Sequence, residues 1–163
     1  YKGPTLYEQL DIFPEPKNFM LKPLRIMSLK NPEKKMSKTG DDALWIDDSP
    51  DEIKRKLKKA VTATDGRKSP GVDNLLLLLR HFGTREQIVY FEDSIKDNTI
   101  KYSELKETLA DSIAEHFAEF REKKAALLKD TGYLADVLAS GAKKANAMAH
   151  ETLLEVKQKI GLL

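Results

Sequence analysis

The sequence predicts a mainly α-helical protein: a short, partly extended lead followed, from Ser49 onward, by a compact bundle of helices. Three observations carry this reading. The first thirty residues hold four prolines, Pro4, Pro14, Pro16 and Pro23, and a residue that lacks an amide donor and crowds the preceding turn leaves no room for a long helix. Capping signals stand at Ser49 and Thr84, each a hydroxyl residue followed three positions later by Glu52 or Gln87. Beyond Ser49, apolar residues recur at steps of three and four, the period of a helix with one buried face.

In chain order, a short helical turn is expected near Leu6 to Phe13. "LRIMSL", Leu24 to Leu29, is an apolar run of the kind that ends a buried strand, and Lys30 and Asn31 open a loop that runs to about Asp42. "ALWI", Ala43 to Ile46, reads as a second short extended piece, with Trp45 as a packing residue. "SPDE" then starts a helix, with Ser49 as N-cap, Pro50 in the first helical position and acidic residues at the positive end of the helix. Ile53, Leu57, Ala60 and Val61 share one face of it, and Lys54, Arg55, Lys56, Lys58 and Lys59 cover the rest.

"TDGRKSPG" breaks that helix. In "PGVDNLL", Pro70 and Gly71 read as a turn, Asp73 or Asn74 as a cap, and the five leucines Leu75 to Leu79 as a helix buried on most faces, running to His81. Gly83 ends it, and the Thr84 and Gln87 box starts "QIVYFEDSI". One long helix is expected from about Ser103 to Lys129, its stripe of Leu105, Leu109, Ile113, Phe117, Phe120 and Leu127 facing other helices. Asp130 caps a short helix carrying Leu134, Val137 and Leu138, and Gly141 separates it from a last one carrying Ala145, Met148, Leu153 and Val156. No repeat of fixed period recurs, which excludes a solenoid.

Composition narrows the chemistry. Hydrophobic residues at 40% and charged residues at 33% describe a soluble globular chain, and five leucines fall far short of the roughly 18 apolar residues of a membrane span. Cysteine is absent, so neither disulfides nor thiolate metal sites are available, which suits a reducing cytoplasm. His81, His116 and His150 are far apart, and none has a second ligand at metal-binding spacing, so no metal site is expected. The net charge of +2 is too small to mark a nucleic-acid binder, but the lysines cluster at 34–38 and 54–59.

The first cluster lies in "NPEKKMSKTGDD", Asn31 to Asp42. Ammonium groups at Lys34, Lys35 and Lys38, hydroxyls at Ser37 and Thr39, and Gly40 for the turn form a donor set suited to phosphate oxygens. Cations held in such a loop stabilise charge that builds on a leaving pyrophosphate. A Walker loop is excluded, because its glycines precede the lysine and a helix follows directly. The bland alternative is a solvated basic loop, with Asp41 and Asp42 pairing its lysines.

The segment Lys35-Met36-Ser37-Lys38-Thr39 resembles the "KMSKS" signature of class I aminoacyl-tRNA synthetases, and "LRIMSLKNPEKKMSKTGDD" resembles the corresponding stretch of the tryptophanyl-tRNA synthetases. "KKAVTATDG", "SPGVDNLL" and "ASGAKKANAMA" resemble that family's "AVTD", "PGVSNLL" and "GAEKANRIA" segments in the same order, so the likeness runs from about Phe13 to Leu162. It implies the end of a Rossmann-like α/β catalytic domain at 1–46, followed by an α-helical anticodon-binding bundle at 47–163. The family makes tryptophanyl-adenylate from tryptophan and ATP with Mg2+, then charges tRNA(Trp), as a cytoplasmic homodimer. By matching position, Lys35 and Lys38 are the catalytic cations on the ATP phosphates, Ser37 and Thr39 donate hydrogen bonds, and the backbone around Ile26 and at Met36 borders the adenine. Lys34 remains a solvated neighbour.

Two departures qualify the likeness. Thr39 stands where serine is usual but keeps the hydroxyl. No "HIGH"-like or "GxDQ"-like segment occurs: "RHFG", Arg80 to Gly83, lacks the second histidine. The likeness therefore implies the carboxy-terminal half of such an enzyme, without the tryptophan pocket and inactive alone. The basic face carrying Lys54, Arg55 and Lys58 reads equally as a contact for tRNA phosphates or as a solvated surface. Two rivals stand beside this reading: a tyrosyl-tRNA synthetase fragment, disfavoured by "PGVDNLL" and "GAKKANAMA", and a noncatalytic tRNA-binding or helical interaction module.

Overall fold

The computed structural model describes residues 17, 24–38, 40, 43–62 and 69–163. Six helices follow one another among them: α1 (Pro50–Lys58), α2 (Pro70–Phe82), α3 (Arg85–Lys96), α4 (Tyr102–His116), α5 (Ala118–Lys129) and α6 (Thr131–Lys159). The fold is mainly α, and none of the described helices is long and apolar enough to cross a membrane. The chain divides into two compact units, one containing residues 24–124 and the other Ala125–Leu163. The expected turn at Leu6 to Phe13 lies outside the described residues.

In the first unit α1 packs on α4, α4 on α2, and α2 on α3. Ile53 and Leu57 from α1 meet Val72, Leu75, Leu78 and Leu79 from α2, Phe91 from α3, and Leu105, Leu109 and Ile113 from α4 in one buried cluster. Leu77 is the least buried of the five leucines, so α2 is enclosed on most of its circumference as its sequence predicts. Hydroxyl caps start α1, α2 and α3. Ser49 Oγ accepts from the Glu52 amide at 3.2 Å, and Thr84 and Gln87 exchange both bonds of a full box, at 3.3 and 2.8 Å. At Ser49 only half of the box forms, because the Glu52 carboxylate turns to Arg55 at 2.8 Å.

Several local expectations give way. Ser69, with Pro70 in the first turn, caps α2, and Pro70 and Gly71 lie inside the helix instead of forming a turn before it. A Cβ on Gly71 would sit 2.2 Å from the Val61 carbonyl oxygen, so this position admits no side chain. The helix expected from Ser103 to Lys129 is two helices, interrupted at Phe117. There the Arg121 guanidinium donates to the Ala114 carbonyl, the acceptor that the amide of residue 118 uses in an unbroken helix. The Phe117 ring meanwhile packs 5.7 Å from Phe82. The stripe is accordingly buried only through Ile113 and Ala114, and α5 buries none of its residues.

Asp130 does cap the next helix, with Oδ1 accepting from the Tyr133 amide at 2.9 Å. That helix continues through Gly141 as one element of 29 residues. A glycine costs about 1 kcal/mol relative to alanine in a helix interior, and the surrounding run of alanines, leucines and lysines outweighs it.

Lys56 departs most from its sequence reading. Placed by periodicity on the solvated side of α1, it is buried, and its ammonium donates to both carboxylate oxygens of Asp48 at 2.8 and 2.6 Å. Asp48 Oδ2 also accepts from the Trp45 amide at 2.8 Å, so the pair fastens the residues before α1 onto the helix itself.

Candidate functional site

The loop predicted to hold phosphate is a hairpin. Its first limb, Ile26 to Leu29, is extended, and its return limb comes back through Lys34 to Met36. The Ser28 amide donates to the Lys34 carbonyl at 2.8 Å and the Met36 amide to the Ile26 carbonyl at 3.0 Å, with Met27 and Lys35 opposed as an antiparallel bridge. Ser28 Oγ accepts from the amides of Lys30 and Asn31 at 3.2 and 3.0 Å, which closes the turn. The strand-like run thus makes one bridge and joins no sheet among the described residues. Its outer edge is occupied by Val61, beyond the end of α1, and by Asn74 of α2.

Those partners fix the hairpin's root. Leu29 is 2% exposed within the helical core, and its carbonyl accepts from the Val61 amide at 2.8 Å. The Asn74 carboxamide, from α2, takes the Met27 amide at 3.0 Å and gives to the Met27 carbonyl at 2.8 Å. Sequence reasoning assigned Asn74 to a cap and missed this contact. The clue available was that "KSPG" repeats the Ser-Pro start of "DSPD", which made Ser69 the better cap and released Asn74 for another role.

On the open side of the hairpin lies a cleft of about 290 Å³. Ile26, Lys35, Met36, Ser37 and Lys38 line one part of it, and Leu24, Ala43, Leu44 and Trp45 the other. Trp45, expected to pack, is 45% exposed at this border, and its amide donates to the Asp48 carboxylate. The cleft is therefore lined by apolar residues together with two lysines and a serine. Thr39, Asp41 and Asp42 lie outside the described residues.

The lysines differ in what already satisfies them. Among the described residues, Lys54 pairs with Asp111 at 2.9 Å, Lys96 with Asp93 at 2.7 Å, Lys123 with Glu119 at 2.5 Å, and Lys124 with Asp47. Lys35 and Lys38 have no such carboxylate among those residues. Both are exposed, and both are among the residues that line the cleft. Unneutralised ammonium groups beside a partly apolar cleft hold an anion more strongly than paired ones, since no ion pair has to be broken first.

The second basic cluster is more engaged. The Asp111 carboxylate bonded to Lys54 holds its ammonium above the usual lysine range, and Arg55 donates twice to Glu52. Lys58 is exposed and, with Lys54 and Lys106, borders a cleft of about 440 Å³ between α1 and α4. Burial pushes the Lys106 ammonium below its ordinary value. It donates to the carbonyls of Lys58 and Ala60 at 3.3 and 2.7 Å, closing the C-terminal end of α1.

Comparison with known proteins places this geometry in context. A family described as "tRNA synthetases class I (W and Y)" matches residues 4–130. Tryptophan--tRNA ligase of Clostridium acetobutylicum is 35% identical over 147 residues, covering 85% of this chain and 43% of that protein. The corresponding ligase of Porphyromonas gingivalis is 32% identical over 164 residues, covering 96% and 50%. Among solved structures, tryptophanyl-tRNA synthetase from Campylobacter jejuni superposes with a TM-score of 0.70 at 23% identity, covering 93% of this chain and 47% of that one. The Mycoplasma pneumoniae enzyme gives 0.65 at 23%, covering 84% and 43%. The two structures speak for a shared fold. The chain spans about half the length of the curated relatives it matches.

Proposed function

The chain belongs to the class I tRNA synthetases of the tryptophan and tyrosine type, and on that premise we propose that it supplies the ATP-phosphate loop and tRNA-contacting helices of a tryptophan--tRNA ligase. The single observation that supports this best is the shared cleft. Lys35 and Lys38, free of carboxylates among the described residues, line it beside Ser37, Met36 and Ile26. In this reading residues 1–46 close a catalytic domain and residues 47–163 form a helical domain for the anticodon of tRNA(Trp). The complete protein acts in the cytoplasm as a homodimer.

In the activation step a carboxylate oxygen of tryptophan attacks the α-phosphorus of ATP. The bond from that phosphorus to the α,β-bridging oxygen breaks, and pyrophosphate departs with the negative charge. Lys35 and Lys38 neutralise that charge as it builds, which lowers the barrier because it is larger in the transition state than in bound ATP. The Ser37 and Thr39 hydroxyls donate to phosphate oxygens, and the backbone at Ile26 and Met36 borders the adenine. The loop's donors are ammonium and hydroxyl groups, which suit phosphate oxygens, so Mg2+ enters as part of the ATP complex and is held through the phosphates. Transfer follows when a ribose hydroxyl of the tRNA attacks the adenylate carbonyl and AMP leaves.

Lys54, Arg55 and Lys58 are proposed to meet tRNA phosphates. Lys58 is the readiest of them, since Lys54 and Arg55 first have to leave Asp111 and Glu52.

The test is tryptophan-dependent exchange of pyrophosphate into ATP by a protein joining this chain to the amino-terminal half of a relative. Lys38→Ala is expected to lower the rate by about 10² or more with unchanged melting, the scale of losing one charge-stabilising donor. Undiminished exchange in that variant removes the role given to Lys38.

A further inference from the structure

We propose that Asn74 is the positioning residue of the lysine loop: its carboxamide takes the place of a neighbouring strand and sets where Lys35 stands. The proposal rests on the phosphate role given to that loop and adds a residue outside its motif. Asn74 is 4% exposed in a helix otherwise turned to the core by Val72, Leu75, Leu78 and Leu79. Asparagine is a modest helix former, and a buried carboxamide is costly unless both its ends are bonded. Both are, and to one residue 47 positions away: the Met27 amide at 3.0 Å and the Met27 carbonyl at 2.8 Å. The side chain presents the same donor and acceptor pair that a residue of an adjacent strand presents across a ladder.

The consequence follows from the alternation of an extended backbone. Met27 and Leu29 point their backbone groups toward the helices, to Asn74 and Val61, whereas Ile26 and Ser28 point theirs toward the return limb, to Met36 and Lys34. The residue opposed to Met27 on that limb is Lys35. Asn74, Met27 and Lys35 therefore lie in a row across the hairpin, and the carboxamide fixes the register of the limb that carries the cation. Beyond Met36 no backbone ladder continues among the described residues, so Lys35 stands on the laddered limb and Lys38 beyond it.

Asn74→Leu keeps most of the volume in an apolar setting and removes both bonds. Leu78→Ala weakens the same core from the same helix and leaves both Asn74 bonds to Met27 in place. Two readouts separate position from stability: hydrogen exchange at the Met27, Ser28 and Met36 amides, and binding of inorganic pyrophosphate to the chain by calorimetry. In Asn74→Leu those amides are expected to exchange about ten-fold faster or more relative to helix amides, and pyrophosphate to bind roughly 3- to 10-fold more weakly, the scale of one or two lost hydrogen bonds. Leu78→Ala is expected to move neither beyond its global effect.

Unchanged loop exchange in Asn74→Leu overturns the proposal, and so does an equal change in Leu78→Ala. If Asn74→Leu does not fold, Asn74→Ala is read the same way. In the unaltered chain the Met27 amide must be protected like the α2 core amides, and rapid exchange there overturns the proposal without any variant. If the unaltered chain binds no pyrophosphate, the phosphate reading of the loop falls, and the exchange data still decide the role of Asn74.

Discussion

Replacing Lys56 by methionine tests how firmly the segment before α1 is held. The Lys56 and Asp48 side chains are 6% and 11% exposed, and the ammonium makes two bonds of 2.8 and 2.6 Å to the carboxylate. Methionine fills the channel of the lysine stem but leaves the carboxylate with only the Trp45 amide, at 2.8 Å, among the described residues. Removing one partner of a buried pair costs about 3 to 5 kcal/mol, because the remaining charge is neither hydrated nor paired. For an exposed pair the loss is about 0 to 1 kcal/mol. With exposure this low the first figure applies, and Lys56→Met is expected to destabilise the unit by about 3 kcal/mol.

Adding Asp48→Asn removes the orphaned charge while keeping an acceptor for Trp45, so the double variant is expected to cost only about 1 kcal/mol, about 2 kcal/mol less than Lys56→Met alone. Urea unfolding followed by circular dichroism gives both numbers. Fluorescence of Trp45, the sole tryptophan, reports whether its backbone has left Asp48. A loss below about 0.5 kcal/mol in Lys56→Met, or a double variant no more stable than Lys56→Met alone, refutes the claim that this pair is held away from water.

Two further outcomes follow from the same geometry. Gly141 lies in the interior of a continuous helix with nothing within 4 Å of an added Cβ, so Gly141→Ala is expected to stabilise α6 by about 0.5 to 1 kcal/mol. A loss of helicity on thermal melting instead would mean that the chain bends at this glycine. The Lys124 ammonium hydrogen-bonded to Asp47 holds that carboxyl below its ordinary range. Because the folded value lies below the unfolded one, its contribution to stability is complete above the ordinary carboxylate range and is lost as the pH falls through the folded value. Lys124→Ala should return the Asp47 titration, followed by carbon-detected NMR, toward the ordinary range. An unmoved titration excludes Lys124 as the cause.

What the sequence made legible was local. Caps at Ser49, Thr84 and Asp130 can be read because the donor lies within three residues of the acceptor, and nothing distant competes for it. The lysine loop could be read because Lys35, Met36, Ser37 and Lys38 are contiguous, so any turn at Gly40 carries them together. What escaped was decided by partners far along the chain or by sums over a long run. Lys56 looks solvated by periodicity until Asp48 folds back beneath it. The end of α4 depends on Phe82 and on the Arg121 guanidinium, and neither is visible in the stripe that predicts one long helix. Gly141 failed to stop α6 because one unfavourable residue is small against the sum over 29.

The same division explains why a loop motif alone does not amount to a site. A lysine-rich segment is flexible, and backbone entropy of about 1 to 2 kcal/mol per residue opposes holding it in one place. Here the helical unit meets that cost in advance at the root. Leu29 is sunk in the core, its carbonyl is bonded to Val61, and Met27 is bonded twice to Asn74. The close seat of Val61 against Gly71, where no side chain fits, brings the end of α1 and the start of α2 to the same point. Val61, Gly71 and Asn74, which in sequence look unrelated to the lysine motif, are in this sense the motif's foundation. The backbone ladder of the hairpin ends at Met36, so Lys35 lies on the laddered limb and Lys38 beyond it.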